Sequence, residues 1–500
     1  MDTTDFGERS RTPEPCIIVI FGASGDLTNR KLMPALYNLF RNGGLPEAFC
    51  IVGVARTLMD DIAFRAKMRQ GLANAGFRLS NWPEFERRLH YHPVIYDDTA
   101  SYTDLHARLR ELEKKQHTQG NRIFSLAMPP ALYPTVARQL GQGGLAAENV
   151  GRRQWTRLVV EKPFGYDLSS AKELDATIAE SFKEHQVFRI DHYMTKQTAQ
   201  NILVFRFANA LFEPIWNRNY IDHVCINASE NLGVEHRAGY YERSGVLRDM
   251  FQNHMMELLS LVATEPPSQI TAEILRDKKA ELFRSMRPFE LKDLNSNLVL
   301  GQYQAGEIQG ERVPGYREEP GVAPDSLTPT YALMRVFVDN WRWQGVPFYI
   351  ISGKRLRQKV TRIDIQFKPV PHTMFRSIFS GNVTANRLTI GVYPQEGIFL
   401  SIQAMKPSAE FFLRTGQLQF SFHEDGEIGK IDAYEIGYAD VISGDQTLFW
   451  RRDGLELCWR FLDPILKYCE SAPNRSGMLH PYAAGSFGPK TAIDMFPKVG

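Results

Sequence analysis

Between residues 16 and 165, continuous apolar runs alternate with segments of helical apolar spacing. The apolar runs are CIIVIFGA (16–23), FCIVGVAR (49–56), RIFSLAMP (122–129) and TRLVVEKPFG (156–165), and the helical patterns occupy 29–43, the stretch to about residue 75, 102–116 and LYPTVARQLGQGGL. Strands that are apolar throughout are typical of a parallel sheet covered by helices on both faces. The alternation therefore predicts a doubly wound, Rossmann-like α/β domain.

The remainder of the chain shows a different pattern of predicted helices and strands. Residues 248–263 predict one strong helix, 301–329 are rich in Gly, Pro and acids and predict a long loop, and 431–470 predict a helical tail. Short runs with tight turns, typical of antiparallel pairing, are YALMRVFVDN, VPFYIISG, VTRIDIQFK, NRLTIGVYP, GIFLSIQAM and LQFSFHED. We expect a flexible tail at 1–14, a Rossmann-like, dinucleotide-type domain at 15–195, and a larger α+β domain at 196–500. The α+β domain is expected to contain a large, mainly antiparallel sheet.

Composition indicates which partners and which cellular compartment suit the chain. The 500 residues carry 59 basic and 57 acidic side chains, a net charge of +2, which argues against general nucleic-acid binding. The five cysteines include no CxxC pair, which favours a reducing compartment over a disulfide framework or a zinc site. The first fifteen residues are polar, and no apolar run is long enough to span a bilayer. We expect a cytoplasmic protein with no membrane partner.

The first predicted strand runs into the loop GASGDL. Gly22 and Gly25 would allow a tight turn and a close approach of a phosphate, and the helix that follows would offer free N–H donors. The alternative is a glycine turn that binds nothing. The next strand ends in Arg56 rather than in the acid that contacts the ribose 2′-hydroxyl of NAD, so Arg56 and Ser24 favour the 2′-phosphate of NADP. A solvated surface arginine is the alternative for Arg56.

Two further motifs contain groups that can donate hydrogen bonds to an anion. FRIDHYMTK combines Asp191 with His192, Tyr193 and Lys196, and the last three can all donate to a phosphate; a polar helix start is the alternative. Lys162 in EKPFG precedes a proline, the usual place for a cis peptide bond, or it simply ends a strand.

The helix motif RDMFQNH contains the candidate general base, His254. An unperturbed imidazole pKa near 6.5 suits proton abstraction from a hydroxyl, although a lone helical histidine often merely packs or caps. Asp249 lies five residues earlier, which in an α-helix places the two side chains about 140° apart. A carboxylate from another segment is therefore the better partner for His254, and Asp191 is a candidate.

The motifs GASGDL, EKPFG, RIDHYMTK and RDMFQNH are followed by GYREEPGVAPDS, DNWRWQGVPF, GDQTLFWRRD and AAGSFGPK. In this order and spacing the chain resembles the glucose-6-phosphate dehydrogenase family over about residues 15–490. The resemblance implies oxidation of β-D-glucose 6-phosphate at C1 to 6-phosphoglucono-1,5-lactone with hydride transfer to NADP, the first step of the oxidative pentose phosphate pathway. It also implies that the domain at 15–195 binds NADP and that the domain at 196–500 serves substrate binding and dimerisation. A homodimer or homotetramer is implied as well, and no metal.

The resemblance assigns a role to individual positions. His254 matches the general base and Asp191 the carboxylate that orients it. The positions that match substrate ligands are Lys162, His192, Tyr193, Lys196, Glu230, Asp249, Lys354 and Lys359. The positions that match coenzyme contacts are Gly22, Ala23, Ser24, Gly25, Asp26, Leu27, Lys31, Arg56, Tyr133 and Lys162. Val360, Gly391 and Tyr393 differ from the animal members, so a second, structural NADP site is not implied.

Two other functions fit parts of the pattern. A sugar dehydrogenase of the Gfo/Idh/MocA type shares the two-domain plan and an EKP motif, but the HYxxK donors favour a phosphorylated sugar. A catalytically silent, NADPH-binding redox sensor or assembly factor would need no base, and the presence of both His254 and Asp191 speaks against it.

Overall fold

The structure is a computed structural model that describes residues 13–191, 193–372, 374, 383–406, 412–422, 432–471 and 476–496. Residues 1–12 of the predicted tail and His192 lie outside the described residues. The chain divides into two compact units that are each discontinuous in sequence. The first unit comprises Met1–Lys196, Thr271–Arg276 and Lys430–Arg452, and the second comprises Gln197–Ile270, Asp277–Gly429 and Asp453–Gly500.

Strands and helices have the following bounds. The strands are β1 Cys16–Phe21, β2 Phe49–Ala55, β3 Leu89–Pro93, β4 Arg122–Leu126, β5 Thr156–Val160, β6 Val187–Arg189, β7 Ile221–Ser229, β8 Leu298–Gln304, β9 Gly306–Ile308, β10 Glu311–Val313, β11 Tyr331–Val336, β12 Phe348–Gly353, β13 Val360–Phe367, β14 Arg387–Tyr393, β15 Gly397–Lys406, β16 Phe412–Ser421 and β17 Leu479–Ala483. The helices are α1 Met33–Arg41, α2 Asp61–Asn74, α3 Trp82–Phe85, α4 Thr99–Gln116, α5 Tyr133–Gln142, α6 Leu168–Ala179, α7 Gln197–Phe207, α8 Ala238–Val246, α9 Met256–Ala263, α10 Ala272–Arg284, α11 Ala433–Ser443, α12 Arg452–Glu470 and α13 Lys490–Met495. Two π-helical segments, Thr28–Leu32 and Leu247–Met255, lead directly into α1 and α9.

The first unit is built on a parallel sheet with the strand order β3-β2-β1-β4-β5-β6. The side chains of β1 and β2 are buried along their whole length, as strands covered on both faces must be. The order reverses between β1 and β4, and such a reversal is where ligands bind in doubly wound sheets. The predicted Rossmann-like fold is confirmed.

Helix α11, although late in the chain, packs within the first unit. Its Asp432 N-cap accepts from the Tyr434 backbone N–H at 2.9 Å. The Tyr438 hydroxyl hydrogen-bonds Ser125 Oγ on β4 at 2.7 Å, and Arg157 on β5 donates to the carbonyl of Val441 at 2.6 Å. These contacts fix α11 against the strands whose far ends carry the candidate coenzyme residues.

The second unit contains a large sheet with the order β16-β15-β14-β13-β7-β12-β11-β8-β17 over the described residues. Its pairings are antiparallel except for β7 with β12 and β8 with β17, so the predicted mainly antiparallel sheet is confirmed. The runs predicted from residue 331 onward correspond to β11–β16.

Two local predictions need correction. Residues 301–329 are not one long loop, because β8 continues to Gln304 and β9 pairs with β10 in a small hairpin. Residues 248–263 are helical but not uniformly α, because Leu247–Met255 is π-helical. Among the helices of the described residues, none is both long enough and apolar enough to cross a bilayer.

Candidate functional site

In the first unit, several motif residues follow directly on strand ends. Gly22 comes after β1, Arg56 after β2, Lys162 shortly after β5 and Asp191 after β6. Because the strands are parallel, their carboxyl ends meet at one edge of the sheet, and this edge holds ligands in open α/β folds. The sheet therefore collects four separate motifs on one side of the first unit.

Gly22 is required by its backbone. Its φ of +86° belongs to the left-handed region, and a Cβ at this position would lie 2.2 Å from the Ala127 carbonyl oxygen after β4. The Gly22 N–H donates to the Val54 carbonyl at 2.8 Å, and Gly25 N–H returns to the Gly22 carbonyl at 2.9 Å. The loop is thus a tight turn that ends where a helical segment begins, so first-turn N–H groups can face a phosphate.

Cationic and hydroxyl groups surround the end of β2. Arg56 is exposed, and its guanidinium carbon lies 5.7 Å from the centre of the Tyr96 ring. Thr57 Oγ1 lies 3.3 Å from Ser24 Oγ, and Lys67 Nζ donates to the Ser24 carbonyl at 2.7 Å. The sequence analysis did not identify Lys67, whose place on α2 opposite the glycine loop has no motif of its own.

Other predicted coenzyme residues have different surroundings. Lys31 Nζ lies 3.5 Å from Asp432 Oδ2, and Asp26 pairs with Arg30 at 3.2 Å on the exposed helical face. Tyr133 is 1% exposed, and burial, followed by the nearby Glu161 carboxylate, raises its pKa. Its phenol is therefore neutral and its role as a coenzyme contact stays a prediction.

Glu161, immediately before Lys162, is a buried carboxyl that the sequence analysis passed over. The Tyr434 hydroxyl donates to Glu161 Oε2 at 3.4 Å, whereas Oε1 is buried with no hydrogen-bond partner among the described residues. Burial raises the carboxyl pKa to about 7, and the Tyr434 hydrogen bond offsets this only in part. The Lys162–Pro163 bond that follows is cis, as its X-Pro sequence suggested.

Replacing Glu161 with glutamine is expected to stabilise the protein above neutral pH. Because the folded chain raises the carboxyl pKa from 4.5 to about 7, ionisation costs stability progressively between these values and fully above pH 7. At 1.36 kcal/mol per pH unit the cost is about 3 kcal/mol. Urea unfolding should show Glu161→Gln more stable at pH 8 by up to that amount and equal to wild type near pH 4.5. Exposed Glu47→Gln is the control, and a gain that does not depend on pH would contradict the burial argument.

The segment FRIDHYMTK divides into a structural part and a polar part. Arg189 is buried and forms ion pairs with Asp175 and Glu184, both at 2.7 Å, so it anchors the end of β6. Asp191 is fully buried, and its Oδ1 accepts from the Tyr193 backbone N–H at 2.8 Å. Lys196 Nζ lies 4.6 Å from the centre of the Tyr193 ring. The backbone thereby fixes the direction of the Asp191 carboxylate.

The second unit places three predicted substrate residues at one sheet edge. Glu230 follows β7 and Lys354 follows β12, and these neighbouring strands are parallel. Their side chains meet, with Lys354 Nζ 2.5 Å from Glu230 Oε2. Lys359 precedes β13, whose first residue Val360 pairs with Ser229 at the end of β7, so Lys359 lies at the same edge.

The π-helical segment Leu247–Met255 corrects the geometry expected for His254. In a π-helix the hydrogen bonds join residues five apart, so Asp249 and His254 lie one above the other rather than about 140° apart. The geometric reason for rejecting Asp249 as a partner of His254 is therefore wrong, and the choice of Asp191 depends on the family resemblance. Both side chains are buried, His254 at 2% and Asp249 at 4% exposure.

Neighbouring side chains define the surroundings of Asp249. The Tyr240 hydroxyl donates to Asp249 Oδ1 at 3.3 Å, and Arg237 lies 3.8 Å from the same oxygen. Burial, and then the Asp249 carboxylate, raise the pKa of Tyr240, which therefore remains a neutral donor. A carboxylate held by a phenol and a cation is suited to accept hydrogen bonds from sugar hydroxyls.

Comparisons with known proteins decide which family these residues represent. The family model "Glucose-6-phosphate dehydrogenase, NAD binding domain" matches residues 19–201, and the model of the C-terminal domain of that family matches 203–500. The chain belongs to the glucose-6-phosphate dehydrogenase family. This confirms the resemblance, and with it the prediction of an oxidoreductase that binds a nicotinamide dinucleotide.

Relatives in this family match the chain over nearly its full length. The glucose-6-phosphate 1-dehydrogenase of Aggregatibacter actinomycetemcomitans is 47% identical over 97% of each chain, and that of Bacillus subtilis is 41% identical over 97% of each. A solved glucose-6-phosphate dehydrogenase in complex with its substrate glucose 6-phosphate matches with a TM-score of 0.89 and 32% identity, covering 98% of this chain and 100% of that one. The Mycobacterium avium glucose-6-phosphate 1-dehydrogenase structure matches with a TM-score of 0.80 and 32% identity, covering 96% of this chain and 97% of that one.

Proposed function

We propose that the chain oxidises β-D-glucose 6-phosphate at C1 to 6-phosphoglucono-1,5-lactone and transfers the hydride to NADP. The observation that carries this proposal is the placement of family motif residues at strand ends. Gly22, Arg56 and Lys162 lie at one edge of the first sheet, and Glu230 and Lys354 lie at one edge of the second. Each group of residues has the chemistry that one of the two reactants needs.

His254 is the proposed general base, which takes the proton from the C1 hydroxyl. A positioned base contributes about 10²–10⁴-fold to a rate. Asp191, whose carboxylate is buried and held by the Tyr193 N–H, is proposed to orient His254 and stabilise the imidazolium. When bound, the nicotinamide accepts the hydride that leaves C1.

We assign substrate positioning to the remaining polar residues of the family motifs. Tyr193 and Lys196, with His192, are proposed to hold the phosphate and Lys162 to contact both substrate and coenzyme. The proposed sugar-hydroxyl contacts are Glu230 and Asp249, with Lys354 and Lys359 as neighbouring cations. Binding energy from the remote phosphate then keeps C1 in reacting geometry, which raises the rate of the chemical step.

The groups at the end of β2 support NADP rather than NAD. A 2′-phosphate would meet the exposed Arg56 guanidinium and the hydroxyls of Ser24 and Thr57, with Lys67 close behind. A ribose 2′-hydroxyl carries no charge and would leave the Arg56 guanidinium without an anionic partner. We propose NADP as the preferred coenzyme.

Arg56→Ala is therefore expected to weaken NADP binding about tenfold or more and to change NAD binding little. A hydrogen bond between charged groups contributes about 1.5–3 kcal/mol, and NAD lacks the phosphate that would make it. Isothermal titration of both coenzymes measures the two dissociation constants. Arg69→Ala, an exposed arginine on α2, is the control. Equal losses for NADP and NAD would reject the 2′-phosphate contact.

A steady-state assay with a panel of sugars tests the proposed reaction. Glucose 6-phosphate, glucose and other phosphorylated hexoses are each supplied with NADP or NAD, and reduced coenzyme is followed by absorbance. We expect the highest kcat/KM with glucose 6-phosphate and NADP. A preference for an unphosphorylated sugar would favour the Gfo/Idh/MocA-type alternative, and no turnover with any substrate would favour the redox sensor.

The family resemblance also leads us to propose a cytoplasmic homodimer or homotetramer. Light scattering on the purified protein measures the molar mass directly. A monomer of 57.1 kDa at working concentrations would reject this proposal.

A further inference from the structure

A polar cavity lies at the edge of the first sheet opposite the glycine loop. Its volume is about 400 Å³, and it is lined by the C-terminal half of α4, the first residue of β4 and the loop at 144–154. Arg122 begins β4 whereas the candidate coenzyme edge follows Leu126, the last residue of that strand. At about 3.3 Å per residue the two edges are separated by roughly 13 Å along β4. The cavity is therefore distinct from the proposed active site.

Arg122 is the buried cation of this cavity. Its side chain is 5% exposed, and Nη2 lies 3.4 Å from Glu113 Oε2. Its Nε is buried and has no hydrogen-bond partner among the described residues. Burial lowers the pKa of the guanidinium, partly offset by Glu113. An orphan N–H on a buried arginine that lines a cavity indicates a missing acceptor.

Three exposed cations complete the lining. Arg110, Lys114 and Arg152 have no carboxylate within ion-pair distance in the part of the chain that the structure describes. Burial lowers the pKa of both His106 and Arg122, and the positive charge of the nearby Arg110 lowers both further by like-charge repulsion.

Both acidic groups of the lining are already engaged. Glu113 pairs with Arg122, and Glu148 lies 2.8 Å from His185 Nε2. Cations therefore outnumber carboxylates in the lining, and those at the rim form no ion pair with any of the described residues. The electrostatic balance of the cavity favours an anion.

We propose that this cavity binds a small phosphorylated metabolite. Guanidinium groups match phosphate oxygens in a bidentate manner, and a lysine adds a point charge. The volume lies within the roughly 300–1,000 Å³ of small-molecule sites and exceeds what one inorganic phosphate fills. A ligand with two or more negative charges and a phosphoryl group would satisfy the Arg122 Nε–H and the rim cations together.

Calorimetric titration of the full-length protein with inorganic pyrophosphate tests the proposal. NADP is kept saturating so that the coenzyme site does not contribute, and a Lys196→Ala variant removes the proposed active-site phosphate contact. The test variant is Arg110→Gln/Lys114→Gln/Arg152→Gln, whose side chains are exposed and form no ion pair within the described part of the chain, so folding is preserved. The control with the same charge change is Arg69→Gln/Arg78→Gln/Arg87→Gln, also exposed in the first unit.

We expect wild type, Lys196→Ala and the control to bind pyrophosphate with similar affinity, and the test variant to bind at least tenfold more weakly. Unchanged binding by the test variant, an equal loss in the control, or no binding to wild type would each overturn the proposal. Citrate supplies a non-phosphate trianion, and binding of citrate as tight as that of pyrophosphate would overturn the preference for a phosphoryl group. The titration measures binding without turnover, so its result does not depend on whether the proposed reaction occurs.

Discussion

His254→Asn is expected to lower kcat for glucose 6-phosphate about 10²–10⁴-fold while KM changes little. The amide occupies part of the space of the imidazole but cannot take a proton, and loss of a general base costs about this factor. The buried position of His254 in a π-helical turn keeps the replacement in place. Steady-state kinetics at saturating NADP, with KM and kcat separated, measure the effect.

A second histidine provides the matched control. His223 is also buried, and its Nδ1 lies 2.7 Å from a carboxylate, Asp222, but it is near the start of β7, far along the strand from Glu230. His223→Asn should retain near-normal kcat. Turnover of His254→Asn within a few-fold of wild type would reject the base assignment.

The π-helix makes two carboxylates worth comparing in the same assay. If Asp191 orients the base, Asp191→Asn should lower kcat with little change in KM and shift the pH profile of kcat. If Asp249 contacts sugar hydroxyls, Asp249→Asn should act mainly on KM. The reverse pattern would transfer the orienting role to Asp249, which lies on the same side of the helix as His254.

Lys196→Ala is expected to raise KM for glucose 6-phosphate about 10–100-fold and to leave the weak oxidation of glucose nearly unchanged. A charge-assisted hydrogen bond to phosphate contributes about 1.5–3 kcal/mol. Glucose has no phosphate, so it does not make this bond and loses nothing in the variant. The comparison of kcat/KM on the two sugars isolates this contact. Lys183→Ala, an exposed lysine of the same unit, is the control. Equal losses on both sugars would assign Lys196 a structural role instead.

Much of the fold was predictable because burial determines where apolar residues stand along a strand or helix. Strands covered on both faces are continuously apolar, as in β1 and β2, and the turns between β11 and β16 separate short β-like runs. Gly22 was predictable as well, because a glycine between a strand and a helix indicates a tight turn, and its φ of +86° belongs to such a turn. These features depend on residues close together in sequence.

What the sequence did not reveal depends on distant contacts or on the hydrogen-bonding pattern within a helix. The π-helical turn at Leu247–Met255 differs from an α-helix in its hydrogen bonds, not in its apolar pattern. Helix α11 has good caps, but nothing local shows that Tyr434 reaches Glu161 more than two hundred residues earlier. The sequence analysis therefore treated Glu161 as part of the EKPFG motif and not as a buried, proton-binding group. Lys67 was overlooked for the same reason.

The most direct measurement of the proposed reaction follows the hydrogen at C1. Glucose 6-phosphate deuterated at C1 is incubated with the purified protein and NADP, and the reduced coenzyme is analysed by mass spectrometry. The proposed hydride transfer predicts one deuterium in each reduced coenzyme molecule and none from labelled solvent. Reduced coenzyme without the label, or no reduced coenzyme at all, would contradict oxidation at C1 by this chain.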